Sequence, residues 1–223
     1  MKYLDLAKKT IRMFYRKLRA FARAPIVEVE ISKVFDRLGK HILTHELLNI
    51  LEFNNSEVAK ECYRRYVESI IKSQKGHWLE KIIGKSKDVN YWITPWGGGE
   101  KNHGEKYLSS EYLSKYVTGA LEIKDKIMKD GYLPKKFGYI TGQLLINEKG
   151  EKSFIIWNGH RRSLTLAYLG YKKIKVEISG GDRWNGEIQN HIIKISELDD
   201  WKNVKNGLYT KEEATRFFYK FFN

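Results

Sequence analysis

The chain has one cysteine and three prolines in 223 residues. A single cysteine, Cys62, excludes an internal disulfide and a zinc site built from several cysteines, so the sequence suits a reducing compartment. No apolar run approaches the roughly 18 residues of a membrane-spanning helix. The N-terminus also lacks the apolar stretch and small-residue cleavage site of a signal peptide. We therefore expect a cytoplasmic protein that is neither exported nor transmembrane.

The composition is that of a folded and strongly basic protein. Hydrophobic residues make up 42% of the chain and aromatic residues 13%, enough for one sizeable core. Lys and Arg total 41 against 27 Asp and Glu, which gives a net charge of +14. Such an excess of positive charge favours a polyanionic partner. That partner could be nucleic acid, an anionic lipid surface or a phosphorylated small molecule, and the net charge does not choose among them.

Half of that charge lies at the N-terminus. Residues 2–24 contain eight basic residues and one acid, Asp5, for a local charge of +7. Apolar residues recur there at helical spacing, which predicts an amphipathic helix over residues 1–25 that Pro25 ends. Its basic face has three interpretations: peripheral contact of residues 1–24 with an anionic membrane, contact with a nucleic-acid backbone, or packing on the domain with the charges in solvent.

The next part of the chain predicts a strand and then several helices. Residues 26–34 are rich in β-branched residues and read as one strand. Helices are expected over 41–53, 56–74 and 77–84, and together they form a helical insertion at about 41–90. His41 and His45 are four residues apart, a spacing compatible with a metal site, but no third ligand is evident. We therefore interpret them as histidines on a helix surface.

Residues 88–103 have neither helical nor strand periodicity. This segment contains Trp92, Trp96 and three consecutive glycines, and we expect it to be a loop with exposed tryptophans. We expect its glycine-rich part, residues 97–103, to be a lid or substrate loop.

From residue 109 onward the pattern alternates between helix and strand. A helix over 110–130 with a serine N-cap and Gly131 after its end is followed by a β-hairpin formed by 138–147 and 153–157. A helix over 161–169, strands over 174–178 and 191–195, and a last helix from Lys211 complete the sequence. The terminal helix carries Phe217, Phe218, Phe221 and Phe222. We expect residues 201–223 to pack on the core of a domain spanning 26–200.

A basic turn between the hairpin and the helix over 161–169 carries the main functional signal. Its residues are Asn158, Gly159, His160, Arg161 and Arg162, and Ser163 follows them. The start of a helix presents free N–H groups and the positive end of its dipole, and a glycine there lets an anion approach the backbone. Arginine adds charged bidentate donors, and histidine can donate or titrate. The turn therefore predicts a phosphate-binding site.

The surroundings of this turn resemble the core of the ParB/sulfiredoxin superfamily. In that family a helix ending in glycine precedes strands that lead to a Gly-X-Arg-Arg turn, then a helix ending Leu-Gly, then a strand. The matching positions here are Gly131, Pro134, Ile140, the run 154–162, Ala167, Leu169, Gly170 and the strand ending at Ile178. The resemblance implies an α+β fold with a mixed-sheet core. It also implies a nucleotide (ATP, ADP or CTP) whose phosphates lie over residues 158–163.

Two departures narrow what the resemblance implies. Sulfiredoxins carry their catalytic cysteine immediately before the His-Arg of the turn, where this chain has Gly159, and Cys62 lies on a different predicted helix. ParB partition proteins continue into a long helix-turn-helix domain, whereas 45 residues follow Ile178 here. We therefore expect neither sulfiredoxin chemistry nor centromere partition.

Two functional hypotheses remain. The first is a nucleotide-dependent phosphotransferase or hydrolase that uses Mg²⁺ and acts on a small hydroxyl substrate, as the kinases of this superfamily do. Such an enzyme needs a general base, and the candidates are Glu28, Glu30, Glu46, Glu100 and His103. The second is a non-enzymatic ParB-like DNA-binding protein, to which the charge and the pair Arg183 and Trp184 would contribute.

Overall fold

A β-hairpin lies at the centre of the structure, a computed structural model that describes residues 24–36, 39–53, 56–74, 91–97, 99–101, 105–179 and 191–222. Strand β5 (Ile140–Ile146) pairs antiparallel with β6 (Lys152–Asn158). The side chain of Asn147 closes the turn, because its Oδ1 accepts the N–H groups of Lys149 and Glu151 at 3.0 and 2.9 Å. Gly150 supplies the positive φ of +75° that the turn requires. The predicted hairpin is confirmed.

Mixed pairing surrounds this hairpin. The other described strands of the sheet are β1 (Ile26–Glu30), β2 (Val34–Phe35), β7 (Lys173–Ile178) and β8 (Ile192–Lys194). Strand β2 pairs in parallel with β6. Strands β7 and β8 pair in parallel with the first and second halves of β5, and β1 pairs antiparallel with β7. The strand order is β1-β7-β5-β6-β2. With the helices described next, this sheet confirms the predicted α+β class.

Helices occupy much of the rest of the described chain. The α-helices are α1 (Asn49–Glu52), α2 (Ser56–Gln74), α3 (Ser110–Asp130), α4 (Pro134–Phe137), α5 (His160–Tyr168), α6 (Lys202–Lys205) and α7 (Lys211–Tyr219). Helix α3 matches its prediction closely, since Ser109 Oγ accepts the N–H of Tyr112 at 3.3 Å and Gly131 follows the last turn with a φ of +77°. Helix α5 begins at His160, one residue earlier than predicted.

The sheet has a core on each face. Side chains alternate between the faces of a strand, so Leu144 and Phe154 face α2, α3 and α5, whereas Leu145 and Ile155 face the C-terminal segment. Phe218 and Phe221 of that segment are buried in the second core, the role predicted for the terminal phenylalanines.

The single strand predicted over 26–34 is wrong. The chain forms β1, a 3-10 turn (Ile31–Lys33) and then β2, and the two strands lie at opposite ends of the strand order. In a flat sheet they would be about 19 Å apart, but the link between them spans at most about 14 Å. The sheet therefore curls, and the 3-10 turn carries the chain from one edge to the other.

The continuous helix predicted over 41–53 is also wrong. Two 3-10 turns (Ile42–Thr44 and Glu46–Leu48) precede the short helix α1. The cause lies in the two histidines, because His41 and His45 each use their ring to accept a backbone N–H two residues later, at 3.1 and 3.2 Å. His45 is consequently buried, 3% exposed, and does not lie on a helix surface.

The predicted loop over 88–103 contains a small hairpin, β3 (Tyr91–Ile93) with β4 (Gly99–Lys101). Trp96 between them is not exposed as expected. It lies in the second core, 8% exposed, and its Nε1 donates to Gln143 Oε1 at 3.1 Å. The helix predicted over 1–25 lies outside the described residues except for its last two positions. The helix predicted over 77–84 lies wholly outside them, as do Arg183 and Trp184.

None of the helices within the described ranges is long and apolar enough to cross a membrane.

Replacing Phe218 by alanine tests the second core. Phe218 is 0% exposed, so the loss of its side chain should lower the free energy of unfolding by about 3–5 kcal/mol, measured by urea denaturation. The exposed Arg216 on the same helix provides the matched control, and Arg216→Ala should change stability by less than about 0.5 kcal/mol. Equal effects of the two substitutions would contradict the packing of α7 described above.

Candidate functional site

The parallel pairing of β2 with β6 brings two segments of the chain to one edge of the sheet. Val34 is level with Phe154 and Phe35 with Ile155, and both strands run in the same direction. The residues that follow neighbouring parallel strands meet at the carboxyl edge, where α/β proteins commonly bind ligands. Here those residues are Asp36 after β2 and the basic turn after β6.

The basic turn has the backbone geometry predicted for it. Gly159 precedes α5 with φ +95° and ψ 22°, a left-handed conformation, and no side chain caps the helix. The positive φ favours glycine, and a Cβ there would also lie a tight 3.1 Å from Cγ1 of Ile140, so that neighbouring atoms would have to shift. The first bond within the helix runs from the N–H of Ser163 to the carbonyl of Gly159. The three N–H groups of residues 160–162 therefore have no acceptor in the helix.

Arg162 belongs to the framework of the turn. Its guanidinium donates to the backbone carbonyls of Phe137 at 3.2 Å and Tyr139 at 3.1 Å, and also to that of Gly138. These bonds tie the start of α5 to the segment between α4 and β5. They use three of the five N–H donors of the guanidinium, so Arg162 holds the turn in place, and its binding of phosphate stays a prediction.

Arg161, in contrast, contacts an aromatic ring and helix backbone. Its guanidinium carbon lies 5.5 Å from the ring centroid of Tyr116 on α3. A Cβ on Gly119 would clash with Nη1 of Arg161, so the guanidinium lies against the backbone of α3 at this glycine. Among the described residues no carboxylate pairs with Arg161 and no hydrogen-bond acceptor is found for its guanidinium. This half-buried cation lacks a protein counter-charge there.

The other residues predicted for the turn differ in exposure. Asn158 is exposed and His160 is half-buried. Ser163 is 0% exposed, and its hydroxyl lies 3.2 and 2.9 Å from the carbonyls of Gly159 and His160. Ser163 thus stabilises the first turn of α5 from inside and does not face solvent.

Tyrosines surround Arg161 on the side of α2 and α3. The rings of Tyr63 and Tyr116 stack with centroids 3.7 Å apart and an angle of 8° between their planes. Burial raises the pKa of both phenols, so they stay protonated at neutral pH. The tyrosines therefore give Arg161 an aromatic surface without a negative charge.

A buried carboxylate, Asp36, lies at the same edge and was missed by the sequence analysis. Asp36 is 1% exposed, and the described part of the chain supplies three donors to its carboxylate. The donors are Nε2 of His45 at 3.3 Å, the hydroxyl of Tyr66 at 3.1 Å and the N–H of Lys40 at 2.7 Å. Burial raises the pKa of Asp36, but the hydrogen bond and the charge of His45 outweigh it, with smaller contributions from the N–H of Lys40 and from His160, and hold the pKa below its ordinary value.

His45 joins two parts of this edge. Its Nδ1 accepts the N–H of Leu47 at 3.2 Å, and its Nε2 lies 3.3 Å from Oδ2 of Asp36. The imidazole therefore ties the second 3-10 turn to the buried carboxylate.

The candidates for the general base are dispersed. Glu28 and Glu30 line a cavity of about 340 Å³ with Gly150 and Lys152. That cavity lies at the end of β6 opposite to Asn158, about 20 Å along the strand. Glu46 forms an ion pair with Lys40 at 2.8 Å. Glu100 is in β4, where the structure describes only the backbone, and His103 lies outside the described residues.

One sequence signal could have identified Asp36. It directly follows Val34 and Phe35, and an acidic residue at the carboxyl end of an apolar strand is placed for a ligand site. The prediction of one strand over 26–34 obscured this position, because it did not include a second strand that pairs with β6.

His41 and His45 each contact another group of the protein through Nε2. His45 is committed to Asp36, and Nε2 of His41 lies 2.7 Å from the carbonyl of Ser32. Within the ranges that the structure describes, no three His, Cys, Asp or Glu side chains are grouped to hold a metal ion.

Comparisons of the chain with models of known protein families, with curated proteins and with solved structures return no match.

Alanine substitutions of the two arginines of the turn should lower the free energy of unfolding by different amounts. Arg162→Ala removes the donors to residues 137–139 and should lower the free energy of unfolding by about 1–3 kcal/mol. Arg161→Ala removes a cation-π contact and should cost about 0.5–1 kcal/mol. Chemical denaturation of both variants provides the comparison, and a larger loss for Arg161→Ala than for Arg162→Ala would contradict these roles.

Proposed function

We propose that this chain binds a nucleotide (ATP, ADP or CTP) through its phosphates at the N-terminus of α5. The observation that carries this proposal is Arg161, a half-buried guanidinium that no described carboxylate neutralises and that lies beside an uncapped helix start. Uncapped N–H groups, the positive end of a helix dipole and an arginine fork all favour the same ligand, a phosphate.

The surroundings of Arg161 hold its guanidinium in place for this role. Tyr116 covers one side of it, and the missing side chain of Gly119 leaves the space that it occupies. Glycine inside a helix costs about 1 kcal/mol relative to alanine, so α3 gives up stability at the one position where Arg161 needs room. This arrangement limits the rotamers of Arg161 before a ligand binds and so reduces the entropy cost of binding.

The resemblance of the turn to that of the ParB/sulfiredoxin superfamily supports a nucleotide as the source of the phosphate. The order of helix, hairpin, basic turn, helix and strand over residues 110–178 agrees with the pattern that suggested the family. We accordingly propose the superfamily as the origin of this core.

We further propose that the protein is a phosphotransferase or nucleotide hydrolase for a small hydroxyl substrate. Asp36 follows β2, the parallel neighbour of β6, and is therefore a further candidate for the general base beside Glu28, Glu30 and Glu46. Mg²⁺ would enter bound to the nucleotide's own phosphates, as it often does when a protein supplies few ligands.

Nucleotide binding is measured by calorimetry with ATP, ADP and CTP in the presence of Mg²⁺. The wild-type chain should bind at least one of them, and Arg161→Ala should weaken that binding about 10- to 100-fold, because a charged hydrogen-bond donor is lost. Arg216→Ala, which removes an exposed arginine on α7, serves as the charge-matched control and should leave the affinity unchanged.

Gly119→Ala offers a second variant that leaves the turn itself intact. The added Cβ would displace the guanidinium of Arg161 and weaken nucleotide binding, although alanine favours the helix. Thr118→Ala at the neighbouring exposed position should have no effect. Absence of binding by wild type, or unchanged binding by both Arg161→Ala and Gly119→Ala, would overturn the proposed site.

The same protein can be used to distinguish the DNA-binding hypothesis from the nucleotide-dependent enzyme. A ParB-like DNA-binding protein should retain DNA with an affinity that falls steeply as salt concentration rises. A small-molecule kinase should not retain DNA at physiological salt. Strong retention without nucleotide binding would therefore favour the second hypothesis over the proposal made above.

A further inference from the structure

The cavity of about 340 Å³ lies between strand β1 and the turn end of the central hairpin. Its volume is within the range of small-molecule sites, about 300–1,000 Å³. It lies at the end of β6 opposite to the basic turn, about 20 Å away along the strand. A ligand in this cavity would therefore occupy a second site, separate from the proposed phosphate site.

The floor of the cavity is apolar. Val29 of β1, Leu144 of β5 and Phe154 of β6 line it, and all three are buried in the core that α2, α3 and α5 cover. Apolar surface of this kind favours an apolar group of a ligand, because contact between the two removes both from water.

The rim of the cavity carries side chains of both charges. Two of its carboxylates have partners within the protein. Glu28 lies 3.6 Å from Nζ of Lys173, and Glu151 accepts a hydrogen bond from Nδ2 of Asn147 at 2.6 Å. These two carboxylates are therefore less available to a ligand than the remaining charges of the rim.

Three charged groups of the rim form no side-chain hydrogen bond or ion pair with the described part of the chain. They are the carboxylate of Glu30 and the ammonium groups of Lys33 and Lys152. Lys173 is level with Glu30 across the strand pair, but its ammonium lies beside Glu28 instead. One available carboxylate and two available ammonium groups suit a ligand that carries charges of both signs.

The available charges approach the cavity from different strands. Glu30 is the last residue of β1, whereas Lys33 directly precedes β2 and Lys152 is the first residue of β6. Because β2 and β6 pair in parallel, the two lysines lie at the same end of neighbouring strands. A ligand's positive and negative groups would accordingly lie at different parts of the rim.

A buried hydroxyl also belongs to the wall of the cavity. Ser153 is 1% exposed, and its Oγ has no hydrogen-bond partner in the described structure. Buried polar groups normally have a partner, and a bound water or ligand is one explanation of an exception.

We propose that this cavity binds an apolar α-amino acid, a small zwitterion whose side chain lies on the apolar floor. The ammonium of the ligand donates to Glu30, and its carboxylate accepts from Lys33 and Lys152. A molecule with a single charge satisfies only one of these two parts of the rim. The site does not depend on the proposed function, because it shares no residue with the basic turn.

The experiment is a map of backbone amide shifts in the full chain without nucleotide, with L-leucine, L-methionine and L-phenylalanine as probes. At least one of them should give saturable shifts at residues 150–154 and in β1. The N-acetyl derivative of that amino acid lacks the ammonium, and its amide derivative lacks the carboxylate. Each derivative should bind about 10-fold or more weakly, because a charged hydrogen bond is lost.

Two substitutions on the rim assign the ligand's charges to residues. Glu30→Gln should weaken binding of the amino acid about 10-fold and leave its N-acetyl derivative unaffected, and Lys152→Met should do the same for the amino acid and leave the amide derivative unaffected. Glu212→Gln and Lys211→Met, at exposed positions of α7, are the matched controls and should not change the affinity.

Absence of saturable shifts at the cavity with all three amino acids overturns the proposal. Equal affinity of wild type for the amino acid and both derivatives also overturns it, as does unchanged affinity in both rim variants. Since the rim residues are exposed, their substitution should leave the fold intact. No nucleotide is present, so this result is independent of the calorimetry on the phosphate site.

Discussion

Two residues of strand β2, paired in parallel with β6, determine which residues meet at the candidate site. Val34 and Phe35 are buried, and their pairing with Phe154 and Ile155 places Asp36 beside the last part of β6, although the two strands are far apart in the sequence. The curl of the sheet makes this possible, because β1 and β2 are joined by a single 3-10 turn. Without this alignment Asp36 would not lie beside the start of α5.

The basic turn divides its functions between two adjacent arginines. Arg162 is bonded to backbone carbonyls and holds the turn on the sheet, so that the helix start keeps its orientation. Arg161 lies against an aromatic ring and bare backbone, where nothing in the described structure neutralises it. Arg162 thus keeps the turn rigid while the guanidinium of Arg161 can bind a ligand. Such a turn is suited to hold an anion with little rearrangement.

Much of the second half of the fold could be predicted from the sequence, because local signals there agree with the tertiary structure. Ser109 and Gly131 marked the ends of α3, and the Asn147 turn marked the hairpin. The failures occurred where tertiary contacts override local pattern. Two histidines that cap 3-10 turns divided a predicted helix, and β2 was hidden inside a predicted strand because its partner, β6, is about 120 residues away in the chain.

The candidate site was predictable in part for the same reason. Gly159 and the residues after it form a continuous motif at a strand–helix junction, so sequence was sufficient to locate the turn. It was not sufficient to separate Arg161 from Arg162, since the difference depends on carbonyls at 137–139 and on Gly119. Asp36 depends on parallel pairing and on two residues, His45 and Tyr66, that no local motif connects to it.

The central claim is that the N-terminus of α5 binds phosphate, and mapping of backbone amide shifts on addition of ATP and Mg²⁺ tests it most directly. The account predicts the largest changes at the amides of His160 and Arg161, because their N–H groups would donate to the ligand. If the largest changes instead occur around the cavity lined by Glu28 and Glu30, or if the amides of α5 do not respond at saturating ATP, the account is contradicted.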